Sequence, residues 1–143
     1  MRVSHLLVNK GHDVATISQG RSVAEAVALL KERGIGALVV TGANPPLVGI
    51  LSERDVVRAL ATNGEAALRM KVSDLMSKEV SVCTADSELT TVMVTMTERR
   101  FRHVPVIDGD RLIGIISIGD VVKARLEELE TDRRDLLNYV SGR

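Results

Sequence analysis

Two short runs place a hydroxyl three residues ahead of a carboxylate: Ser52-Glu53-Arg54-Asp55 and Ser117-Ile118-Gly119-Asp120. Each opens a predicted helix. A carboxylate at a helix mouth can accept the protons of two neighbouring hydroxyls in a bidentate contact, or it can simply cap the helix. A serine ahead of the first helical amides can add a bond to an anion drawn there, and it too can cap. Arg54 lies in the first run only, where the second has Gly119. A basic cluster, Arg99-Arg100-Phe101-Arg102-His103, offers guanidinium forks suited to phosphate oxygens. The competing readings are a solvated basic face for the arginines and a packed core position for His103. Cys83 with His103 and an Asp would make a thiol catalytic set. Cys83, however, sits in the alternating stretch Val80-Ser81-Val82-Cys83-Thr84, which reads as a strand. His5, His12 and His103 lack metal-ligand spacing. With no recognisable catalytic constellation, a non-enzymatic role is expected.

The elements that position these residues are duplicated. The run Gly49-Ile50-Leu51-Ser52-Glu53-Arg54-Asp55-Val56-Val57-Arg58-Ala59 recurs 65 positions later as Gly114-Ile115-Ile116-Ser117-Ile118-Gly119-Asp120-Val121-Val122-Lys123-Ala124, identical at seven of eleven positions. Upstream, Val23, Ala26, Val27 and Leu30 mark one helix face, and Leu89, Val92, Met93 and Met96 repeat its spacing. Ser22 through Glu25 fits a capping box, and Gly34 can close that helix in a left-handed conformation. Short apolar strands follow at Ala37 to Val40 and His103 to Ile107. Turns come next, with Gly42 and Pro45-Pro46 in one copy and Asp108-Gly109-Asp110 in the other. Returning strands run from Leu47 to Leu51 and from Arg111 to Ile116.

Each copy therefore reads strand, helix, strand, strand, helix. The fold class is α+β (a mixed α/β chain): two βαββα repeats packed as a pseudo-symmetric pair with their sheets face to face, plus a C-terminal helical extension. One copy buries too little surface to be stable alone. The expected divisions are 3–64 for the first repeat, 65–71 for a link, 72–130 for the second repeat and 131–143 for a helical tail.

Composition narrows the function. Of the 143 residues 45% are hydrophobic and only 1% aromatic, so the core is aliphatic and a stacking platform for single-stranded nucleic acid is excluded. Nineteen basic residues balance nineteen acidic ones. That neutrality argues against DNA or an anionic membrane as partner. The single cysteine cannot form an internal disulfide. No apolar run has the length of a membrane span and no signal peptide is evident, so the expectation is a cytoplasmic protein.

The doubled pattern resembles a tandem cystathionine-β-synthase (CBS) domain pair over nearly the whole chain. The resemblance is carried by the Gly-h-h-Ser-x-x-Asp run in both copies, where h is hydrophobic, the Val72-Ser73-Asp74-Leu75-Met76-Ser77 opening and the Arg102-His103-Val104-Pro105-Val106-Ile107-Asp108 strand. It implies two CBS-type βαββα repeats and an adenosyl ligand (AMP first, with ATP or NAD as alternatives, and S-adenosylmethionine known in the family). It also implies a regulatory sensor module acting on a partner protein. Asp55 and Asp120 would then take ribose hydroxyls, and Arg102 and His103 would lie near phosphate. The family's crossed arrangement implies one rich site of Ser52, Arg54, Asp55, Ser77, Val82, Arg102 and His103. Its counterpart of Ser117 and Asp120 with Val14, Thr16 and Gly36 is poorer, because Leu7-Val8-Asn9 offers no hydroxyl matching Ser77.

The tail residues Val122, Leu126, Leu129, Arg133, Leu136 and Val140 form a heptad-like seam, from which a homodimer is expected. The alternative is that this face folds back on its own chain. A ligand-free interaction scaffold is the rival to the sensor reading.

Overall fold

The computed structural model describes residues 1–43 and 47–142. Asn44, Pro45, Pro46 and Arg143 lie outside the described residues, and with them the expected Pro45-Pro46 turn. No helix among the described residues is long and apolar enough to cross a membrane.

The first repeat contains β1 (Thr16–Ser18), α2 (Val23–Arg33), β2 (Ala37–Thr41), β3 (Leu47–Ser52) and α3 (Glu53–Asn63), preceded by α1 (Val3–Lys10). A 3-10 turn (Gly64–Arg69) and the short helix α4 (Val72–Leu75) lead into α5 (Leu89–Arg99), β4 (His103–Asp108), β5 (Arg111–Ser117) and α6 (Ile118–Val140). The expected link at 65–71 is thus mostly helical turn, and Ala67 within it is fully buried.

Local chemistry explains the element ends. Ser22 Oγ accepts the Glu25 amide at 3.2 Å, and Gly34 closes α2 with φ +62°. At the matching end of α5, Arg100 takes the left-handed conformation with φ +58°, a position where a side chain is strained. Val23, Ala26 and Leu30 of α2 are buried together with Ile17, Leu38, Val40, Leu51, Val56 and Val72, an aliphatic core for the first sheet. In that sheet β1 pairs with β2 in parallel (Ile17 beside Val40), and β2 pairs with β3 antiparallel (Leu38 beside Leu51). The second repeat departs from the expected pattern. Its β4 and β5 form a two-stranded sheet, and the anticipated first strand shrinks to one parallel bridge, Cys83 beside Val106.

The described residues gather into two compact units that cut across the repeats. One takes Asp13–Ser81 with Gly109–Ile113. The other takes Met1–His12, Val82–Asp108 and the chain from Gly114 onward. In the first unit the opening segment of the second repeat is stitched to the first repeat: the Val72 amide donates to the Arg21 carbonyl at 2.8 Å, Ser73 to Gln19 at 3.0 Å, and Val23 to Met70 at 2.8 Å. The second unit repeats this with α1: Val3 donates to Ser87 at 2.9 Å, Ser4 to Ala85 at 2.9 Å, and Leu89 to Met1 at 2.8 Å. Met1-Arg2-Val3-Ser4 is therefore the counterpart of Met70-Lys71-Val72-Ser73. This moves the first opening upstream of Leu7-Val8-Asn9. Leu7 corresponds to Met76, and the exposed Val8 corresponds to Ser77.

Both openings press on the motif glycines. A Cβ on Gly49 would lie 2.7 Å from the Ser77 carbonyl oxygen and 2.9 Å from Met76 Sδ. A Cβ on Gly114 would lie 2.8 Å from Leu7 Cδ2. Ser77 is itself paired with Ile50 through bonds of 2.9 and 3.0 Å, so the Gly49 contact is backbone on backbone and cannot give. Gly49→Ala is expected to destabilise the chain by about 2 kcal/mol, the cost of overpacking. Gly114→Ala should cost less, since a leucine methyl can swing aside. Urea denaturation of both variants checks the order, and equal losses would show that the backbone contact is not the limiting one.

Candidate functional site

Ser52 and Ser117 are the N-caps of α3 and α6, and the aspartates stand at the third helical position. Each pair closes a reciprocal capping box. Asp55 N donates to Ser52 Oγ at 3.3 Å, while Asp55 Oδ2 accepts the Ser52 amide at 2.9 Å and its hydroxyl at 3.1 Å. Asp120 N donates to Ser117 Oγ at 3.1 Å, and Asp120 Oδ2 accepts the Ser117 amide at 2.8 Å. Capping is thus a real role of both pairs. In each case the cap falls on Oδ2, and no described residue donates a hydrogen bond to Oδ1. Both carboxylates are only half-buried and stay accessible to a solute. A second tie sets each mouth against its own repeat: the Glu53 amide donates to the Gly36 carbonyl at 2.9 Å, and the Ile118 amide to the Arg102 carbonyl at 2.8 Å.

The unit built around the first sheet holds Val14, Thr16, Gly36, Ser52, Arg54, Asp55 and Ser77. Ser77 is brought to the end of β3 by its pairing with Ile50, and its exposed hydroxyl donates to the Glu79 carbonyl at 3.3 Å. Arg54 is exposed in the first turn of α3, and Thr16 is exposed on β1. The Glu53 carboxylate, which the sequence did not single out, lies over Gly36 where a Cβ would meet it at 3.4 Å.

The other unit holds Val82, Arg102, His103, Ser117 and Asp120. Arg102 is exposed and His103 half-buried at the start of β4. Val82 is 42% exposed, next to Cys83, whose amide donates to the Pro105 carbonyl at 3.0 Å. Burial pushes the Cys83 thiol up to about 11, so at neutral pH it is an inert core thiol and not a nucleophile. Arg99 stacks over Phe101 at 5.1 Å. Among the described residues no group of three His, Cys, Asp or Glu is arranged to hold a metal.

Lys10, the last residue of α1, is the residue that sequence reasoning missed. Its ammonium donates to Asp120 Oδ2 and to the Ile115 carbonyl. Burial alone would raise the Asp120 carboxyl. The Lys10 ammonium and the Ser117 bonds outweigh it and hold the group below the usual carboxylate range. No single-residue signal marks Lys10. Aligning Met1-Arg2-Val3-Ser4 with Met70-Lys71-Val72-Ser73 would have placed α1 beside the second repeat.

Two matched repeats, the second with its first strand reduced to a bridge, each present an aspartate at a helix mouth through the same Ser-x-x-Asp box and define a class of small repeat modules. The chain belongs to the CBS domain family, whose profile matches residues 3–62 and 72–127. It is 36% identical over 125 residues to the mitochondrial CBS domain-containing protein CBSX3 of Arabidopsis thaliana, covering 85% of this chain and 61% of that protein. A crystal structure of a CBS-domain containing protein from Agrobacterium tumefaciens superposes with TM-score 0.83 at 49% identity, covering 87% of this chain and 99% of that one. The CBS domain pair of protein MJ0100, solved with 5′-methylthioadenosine and S-adenosyl-L-methionine, superposes with TM-score 0.75 at 25% identity, covering 87% and 98%.

The Asp120 ion pair makes stability depend on pH. A carboxylate whose folded pKa is depressed contributes fully above its unfolded value of about 4, and that contribution is lost as pH falls through the folded value. Asp120→Asn keeps an acceptor for the Ser117 amide but loses the charge. It is expected to be less stable than the parent chain at neutral pH, with the gap closing as the pH is lowered from about 5 to about 2. Thermal melts across that range check this, and a gap independent of pH would show that the pair contributes nothing.

Proposed function

We propose that the chain is a regulatory module that binds an adenosine-containing ligand, with the aspartate at a helix mouth gripping the ribose diol. The observation that carries this reading is the capping box itself. It fixes Asp55 through Oδ2 and leaves Oδ1 for a hydroxyl pair, at a helix start that favours anions. The adenosyl compounds held by the MJ0100 domain pair support it. AMP is the first candidate, with ATP and NAD as alternatives. Ser52, Arg54 and Ser77 are the residues of the same unit proposed to assist Asp55, and Arg102, His103 and Val82 are proposed ligand contacts tested by substitution. Ser117, Asp120, Thr16 and Gly36 are the proposed second set. The chain spans 61% of the length of CBSX3. Its output is proposed to be a partner protein that reads ligand occupancy.

Calorimetry on nucleotide-stripped protein tests the reading. Asp55→Ala should weaken AMP binding about tenfold or more through loss of charge-assisted bonds. AMP should bind more tightly than adenosine, and the difference should shrink with added salt. Failure of AMP, ATP and NAD alike to bind leaves the ligand-free scaffold as the function.

The output is proposed to run through a homodimer. The seam on α6 does not fold back: Val122, Leu126, Leu129, Leu136 and Val140 are 46–75% exposed, whereas Val121 and Ala124 point inward and are buried. A row of apolar side chains this exposed is a self-association face in a chain of neutral charge. Light scattering is expected to give twice 15.5 kDa. Glutamate at both Leu129 and Leu136 should shift the chain to monomer without abolishing ligand binding. A parent chain that stays monomeric at high micromolar concentration removes the dimer.

A further inference from the structure

The two helix mouths share a capping box but not a charge environment. The Asp55 carboxylate accepts from Ser52 alone, through its amide and its hydroxyl, and no cation among the described residues lies within ion-pair distance of it. Asp120 accepts the Lys10 ammonium. That ammonium is held on two sides, by the carboxylate and by the Ile115 carbonyl at 2.5 Å, so it is seated and not merely nearby. Both side chains of the pair are about two-thirds buried, at 30% and 29% exposure, where solvent screens the attraction less than at the open surface. The difference is written into the openings. Lys10 lies seven residues after Val3, and the residue seven after Val72 is Glu79, an acceptor that cannot reproduce the contact.

We propose that Lys10 is an internal occupant of the Asp120 carboxylate that closes the second repeat's ribose grip, leaving Asp55 as the chain's working nucleotide carboxylate. A ribose diol donates two protons and needs an anionic acceptor with free lone pairs. At Asp120 it must compete with a tethered ammonium, which is charged, already in place and loses little freedom on binding. At Asp55 it meets no such competitor. The inference rests on the adenosine-binding reading above, and it adds a stoichiometry of one ligand per chain and a single residue that sets it.

The test uses the full nucleotide-stripped chain with AMP in a calorimeter. The parent chain is expected to bind one equivalent, weakened about tenfold or more in Asp55→Ala. Lys10→Met, and Lys10→Gln as a second variant, should bind a second equivalent, with affinity at that site raised roughly tenfold or more. Adding Asp120→Ala to either variant should remove it again. Two equivalents in the parent chain, or one in both Lys10 variants, overturns the inference and leaves the ligand reading intact. If the parent chain binds no AMP, the ligand reading falls at Asp55. Asp120-dependent binding by the Lys10 variants would still support the occupant, and its absence would overturn it. An independent readout needs no variant to fold: the Lys10 ammonium protons should exchange slowly with water in nitrogen-detected NMR. Exchange as fast as that of a surface lysine overturns the inference.

Discussion

The absence of a side chain at Gly49 and Gly114 is the constraint on which the rest depends. Each glycine lets an opening segment lie directly on a returning strand, close enough that a Cβ would sit under 3 Å from the segment's atoms. Once an opening lies there, its amides reach the carbonyls ahead of the repeat's first helix. Its last residues reach the mouth of the second helix. The glycine that starts the motif and the aspartate that ends it thus serve one purpose: the first seats the neighbour, the second faces the space beside it. This gives a physical reason for Gly, Ser and Asp to recur together at fixed spacing.

The duplication is close in backbone and divergent in charge. Matched hydrogen bonds tie Val72 and Val3, Ser73 and Ser4, Glu53 and Ile118 into equivalent places. Side chains at equivalent places then differ: Arg54 against Gly119, Gly36 against Arg102, Glu79 against Lys10. A duplicated scaffold tolerates such changes because these positions are exposed or half-buried and the aliphatic core carries the packing. Two copies can therefore keep one fold while their helix mouths take on different electrostatics.

Much of this was legible in the residues. Period-3.6 spacing located α2 and α5, the Asp-Gly turn located the β4–β5 hairpin, and the repeated motif located both helix mouths. The first strand of the second repeat was not legible as a mere bridge, because Val80 to Thr84 alternates as a strand does and only the lack of partners beyond Val106 shortens it. The helix α1 was not legible either. Its eight residues hold Leu6 and Leu7 buried, Leu7 against Gly114 of the second repeat, and a local pattern carries no record of a partner so distant in sequence. Lys10 was invisible for the same reason: its significance is a contact with Asp120, not a property of its neighbours.

The exchange of openings also sets an order in time. The Val3 amide finds its acceptor on Ser87, and Lys10 finds its own on Asp120, so α1 has no place to dock until those residues have left the ribosome. The unit built on Asp13–Ser81 meets almost all of its partners early, since β1, β2, β3 and the second opening follow one another along the chain. The segment Val3–Lys10, with Leu6 and Leu7, therefore waits for partners that are made only with the second half of the chain.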